Sequence, residues 1–145
     1  NKGIVKLMNR KIERNLLRVS AVWDVLIGLV TMFGYYPWFE EQGIAAFQNK
    51  NQYEYLQSSL VGMISKVVMI VALATILMGV ISWINAKNIR DKQINKGTMR
   101  WMIACVIIHL VIYDVIGIVF YLLATILYIS KNKALRTLKT EDGYF

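Results

Sequence analysis

The chain has 145 residues, 57% of them hydrophobic, with one proline and 17 Lys+Arg against 9 Asp+Glu. A mean hydropathy of +0.45 with so little proline excludes a disordered chain and argues against an ordinary water-soluble domain. The net charge of +8 would point to nucleic acid in a soluble protein, but here the basic residues lie between apolar runs. Membrane topology explains them, and no nucleic-acid partner is expected.

The chain opens on a basic stretch, residues 1–18, in which Ile4, Met8, Ile12 and Leu16 recur at helical spacing while Lys6, Arg10, Glu13 and Arg14 occupy another face. This predicts an amphipathic helix lying along the cytoplasmic leaflet. The apolar runs 19–39 and 60–86 each hold the ~20 residues that cross roughly 30 Å of hydrocarbon, which makes them the first two transmembrane segments. Tyr35, Tyr36 and Trp38 mark the outer end of the first, and Pro37 suits a helix end. Between them, residues 40–59 carry Glu40, Glu41 and Glu54 against Lys50 alone. The positive-inside rule places this segment outside, as a small cap on the bilayer or a surface for a partner.

A basic loop, residues 87–100, separates the second run from a third, Trp101 to Ser130, and a basic tail, 131–145, follows. The opening stretch, this loop and the tail together hold 15 of the 17 basic residues. Loop and tail are therefore both cytoplasmic, and the third run must cross twice or re-enter. Its 30 residues are long for one crossing and short for two. Asp114 and Gly117 stand at the first and fourth positions of a type I turn, which divides the run into segments 101–113 and 117–130. The competing arrangement is one tilted helix with the tail outside. The expected fold is thus an all-α integral membrane bundle of four transmembrane segments. Its last two form a short hairpin, and both termini of this multi-pass protein of the cell membrane are cytoplasmic.

In the second span, Ser65, Val68, Ala72, Thr75, Gly79, Ser82 and Ala86 follow steps of three and four, a stripe of mostly small residues that suits close helix packing in lipid. Ala21, Asp24, Gly28, Thr31 and Tyr35 form a comparable stripe in the first span, and Gly117, Tyr121, Ala124 and Tyr128 in the last. Asp24, Lys66, His109 and Asp114 are ionisable groups within or near apolar segments, where they are expensive and face protein. Depth counting puts Asp24 about 8 Å and His109 about 12 Å inside the cytoplasmic boundary, so these two could meet. Lys66 and Asp114, both in the outer part under the hairpin arrangement, could form a second pair. The alternatives are groups that satisfy one another and fix the packing, a proton or ion pathway, and contact with an intramembrane partner.

Cys105, His109 and Tyr113 share a helix face at four-residue spacing, but a single Cys and a single His make a weak metal set. No metal or cofactor is expected. No nucleophile elbow, zinc-binding HExxH, phosphate-binding loop or pair of catalytic carboxylates occurs, so the chain reads as non-enzymatic.

The order of basic start, span, short outer segment, span, basic loop and compressed hairpin, ending in the run from Gly117 to Lys133, resembles small four-helix membrane proteins of unknown function from Gram-positive bacteria. That group has no assigned catalytic residues to carry over. The expected role is an accessory, regulatory or immunity-type subunit. It would bind a larger membrane protein through helix faces and the outer segment; the expected partners are the lipid bilayer and a larger membrane protein, or a homo-oligomer. The alternative is a small proton-coupled exporter using Asp24.

Overall fold

The computed structural model describes residues 9–47 and 54–141, and these are helical almost throughout. Helix α1 spans Lys11–Val30 and runs through a π-helical stretch, Thr31–Tyr35, into α2, Tyr36–Phe47. Helix α3 is Glu54–Asn88, α4 is Lys96–Val111 and α5 is Val115–Glu141. Three stretches are long and apolar enough to cross a bilayer: Lys11–Ala45, Ser59–Asn88 and Val115–Leu138. The third expected segment, 101–113, falls mostly in α4, which ends at Val111 and whose 16 residues rise only about 24 Å.

Two sequence expectations change at the first helix. Pro37 does not end it, because the helix continues to Phe47. Proline lacks an N–H and crowds the carbonyl four residues back, so an ordinary α-turn cannot pass through it undisturbed. The wider π turns just before Pro37 absorb the mismatch, with the Tyr36 N–H reaching back to the Thr31 carbonyl. At the other end, residues 1–8 of the expected leaflet helix lie outside the described residues. From Lys11 onward the helix runs unbroken into the first apolar run rather than forming a separate element.

Burial is distributed as lipid requires. Large aliphatic side chains such as Leu26, Val67, Leu77, Ile107 and Leu122 face outward, while Ser20, Ala21, Ala72, Ser82, Ala124 and Thr125 are buried. In water so many exposed large apolar side chains would be an aggregation liability. In hydrocarbon there is no gain from hiding Leu from lipid, so small residues that permit close helix approach take the interior.

The chain divides into two compact units, Asp24–Met78 and the remainder, Asn1–Trp23 with Gly79–Phe145. Within the first, α1 and α3 run antiparallel in close contact. A Cβ built on Gly28 would lie 2.9 Å from the Ala72 carbonyl oxygen, and one on Gly43 would lie 2.9 Å from Val61 Cγ1. Tyr35 stacks on Phe39 at 5.9 Å between ring centroids and packs against Trp38 at 5.7 Å.

The second unit is tied at one end by charged groups. Arg10 is buried with its guanidinium 4.4 Å over the Tyr128 ring and one nitrogen on Asn132 Oδ1, while its backbone N–H donates to Asp91. Arg14 donates to the Ile89 carbonyl and lies 3.5 Å from Asp91, and Lys131 pairs with buried Glu13 at 2.9 Å. Arg18 lies over the Trp83 ring at 5.8 Å. The sequence placed Arg10 and Glu13 on the polar face of a helix lying along the leaflet, yet both are buried against α5 while Ile12 is exposed. The polar face of this stretch is the one that docks on protein, because α5 and the α3–α4 loop offer matching partners in Asn132, Lys131 and Asp91.

Candidate functional site

The site lies at the turn between α4 and α5. Helix α4 starts at Asn95, whose side-chain oxygen accepts the N–H groups of Gly97 and Thr98. It ends at Val111 in a Schellman motif. Tyr113 takes a left-handed conformation (φ 57°), its N–H reaches the Leu110 carbonyl, and the Asp114 N–H reaches that of His109. Asp114 then caps α5, with Oδ1 accepting the Gly117 N–H at 3.0 Å. Helices α4 and α5 form a helical hairpin whose turn is Ile112–Tyr113 rather than Asp114 to Gly117. Gly117 lies inside α5, one turn after the cap.

This turn folds Asp114 back against His109, five residues earlier. His109 Nε2 is 3.4 Å from Asp114 Oδ2, and the Trp23 indole N–H donates to the same carboxylate at 2.9 Å and 3.2 Å. His109 is fully buried and its other ring nitrogen lies 2.8 Å from the Cys105 carbonyl oxygen. The imidazole also packs on the Tyr121 ring, with centroids 4.8 Å apart. Gly117 makes this possible: a Cβ there would lie 2.5 Å from both His109 Nε2 and Asp114 Oδ2, closer than any real side chain tolerates.

From Tyr121 the polar contacts continue inward. Its hydroxyl is 2.7 Å from Ser82 Oγ, which also accepts the Trp101 indole N–H at 2.9 Å and lies 3.9 Å from Cys105 Sγ. Nearer the charged end, the Asn95 N–H donates to the Tyr128 hydroxyl at 2.9 Å. Each aromatic hydroxyl or indole in this series has an apolar body in the bundle and a polar tip on a partner, the usual condition for burying such a group.

The remaining sequence-selected residues fall as follows. Asp24 is fully buried, directly after Trp23 in α1. Lys66 is exposed on α3, whereas Asp114 is taken up by His109, Trp23 and the α5 terminus. The Lys66–Asp114 pairing counted depth alone and did not include the backward fold of the turn. Ser65, Ala72, Thr75, Gly79, Ser82 and Ala86 are all buried. Cys105 and His109 share a buried face, but Tyr113 leaves it and is 88% exposed because the helix has already ended.

Trp23, Gly117 and Tyr121 are the site residues that sequence reasoning did not assign to Asp114 and His109. Trp23 lies one residue before Asp24 and outside the small-residue stripe, and a lone indole carries no signal for which carboxylate it meets. Gly117 and Tyr121 were placed in the last stripe, whose spacing already put them on one face with Ala124 and Tyr128.

No known protein family matches this sequence, and no characterised protein or solved structure matches the chain.

Proposed function

We propose that the chain is a non-enzymatic multi-pass protein of the cell membrane that acts as an accessory or regulatory subunit of a larger membrane protein. Both ends lie in the cytoplasm, the first two apolar helices cross, and the α4–α5 hairpin enters from and returns to the cytoplasmic side. The observation that carries this reading is the use made of the Asp114 carboxylate. Trp23, the Gly117 N–H and His109 all engage it, so it joins α1, α4 and α5. Ionisable groups that hold helices together in this way serve assembly, and the outward helix faces and the aromatic surface near Trp38 remain for a partner.

Affinity purification in mild detergent tests this. A larger membrane protein should co-purify with the wild-type chain, and the association should be lost with Trp38→Ala, at an exposed outer aromatic, and survive Leu77→Ala. Buried Asp24 supports the competing reading, a small proton-coupled exporter. In liposomes under a pH gradient, proton flux that requires Asp24 and is abolished by Asp24→Asn would replace the subunit reading with the exporter. Recovery of the chain only as a homodimer would favour the same replacement.

A further inference from the structure

The hydrogen-bonding geometry around the single histidine determines more than packing. A backbone carbonyl oxygen only accepts, so the His109 nitrogen 2.8 Å from the Cys105 carbonyl, Nδ1, must carry a hydrogen. On the opposite side, the Asp114 carboxylate accepts from N–H donors, Trp23 Nε1 at 2.9 Å and 3.2 Å and the Gly117 amide at 3.0 Å. A neutral imidazole protonated at Nδ1 would point the bare lone pair of Nε2 at Asp114 Oδ2, 3.4 Å away, with the imidazole fully buried and the carboxylate largely so. Two lone pairs facing each other there repel, and a hydrogen between them removes the repulsion.

We infer that His109 and Asp114 form a proton-binding site holding one hydrogen between Nε2 and Oδ2, as an imidazolium–carboxylate pair at the tip of the α4–α5 hairpin. Two further features suit a cation at this position. The imidazole lies against the Tyr121 ring at 4.8 Å, within the range in which an aromatic ring attracts positive charge. Gly117 keeps open the space between ring and carboxylate that a Cβ would fill. Titratable groups on the surrounding elements include Cys105 on α4, Tyr121 on α5, and Asp24, the residue after Trp23 on α1.

Release of this proton leaves the Nε2 lone pair against the carboxylate and weakens the contact that closes the hairpin tip. The tip is therefore held while the hydrogen is in place and loosened when it leaves.

Because the chain contains one histidine, 15N-histidine labelling of the full protein in lipid nanodiscs reports on this site alone. At neutral pH the wild type should show protons on both ring nitrogens. Asp114→Asn keeps the helix cap and removes the carboxylate charge, and should lose the Nε2 proton while retaining that on Nδ1. Gly117→Ala, which retains every polar group but displaces the ring, should lose it as well, and serves if the Asn variant does not accumulate. A neutral wild-type imidazole at neutral pH, or an imidazolium that persists in Asp114→Asn, would overturn the assignment.

Discussion

At the scale of single residues, the hairpin tip depends on one missing side chain and one carboxylate. Gly117→Ala inserts a methyl group where His109 and Asp114 already approach the α5 backbone. It should destabilise the protein by about 1–3 kcal/mol, read as a lower midpoint for thermal aggregation in detergent, even though alanine favours helix. Asp114→Ala removes the cap of α5 and the partner of both Trp23 and His109 and should cost about 3 kcal/mol or more, whereas Asp114→Asn, which still caps, should cost less than half of that. Equal losses for Ala and Asn in the same melting assay would mean that capping contributes nothing. Sequence alone identified His109 and Asp114 as groups too expensive to leave in lipid. Their partnership was hidden because they are five residues apart across a helix terminus, where helical spacing no longer says which side chains meet.

At the scale of elements, helix boundaries here are set by backbone hydrogen bonding as much as by residue type. Tyr113 holds a left-handed position usually given to glycine. Tyr113→Gly should keep or slightly raise the melting midpoint, while Tyr113→Val, β-branched and unsuited to positive φ, should lower it by about 1 kcal/mol or more. On α3, Gly79 is buried and Leu77 is exposed. Gly79→Leu should therefore abolish a monodisperse peak in size-exclusion chromatography, and Leu77→Ile should leave it unchanged. The three-and-four spacing of small residues made this face legible in the sequence, because period and residue size together define a stripe. Passage of the helix through Pro37 was not legible, since the π turns that accommodate it have no residue signature.

For the whole molecule, the proposed topology places Glu41 outside and Arg136 inside. Cysteine introduced at Glu41 should react with a membrane-impermeant maleimide on intact cells, and cysteine at Arg136 only after permeabilisation. Labelling of both from outside would exclude a hairpin that returns to the cytoplasm. The charged end should be equally sensitive to substitution. Arg10→Ala removes a guanidinium that stacks on Tyr128 and bonds Asn132, both buried, and should lower the melting midpoint more than Arg136→Ala, whose side chain is exposed.

Composition and charge pattern by themselves carried the all-helical class and the long apolar helices able to cross a membrane. Hydrophobicity over ~20 residues and the distribution of Lys and Arg are properties of a chain and need no partner to be read. The tertiary structure decided which polar groups meet: Asp114 with His109 and Trp23, Arg10 with Tyr128 and Asn132, and Tyr121 with Ser82. In a membrane interior every such group must find a partner, and many pairings satisfy that demand equally well on paper. The choice among them rests on where a Schellman turn reverses the chain and where a glycine lets one backbone approach, distances of a few ångströms that no local sequence window contains.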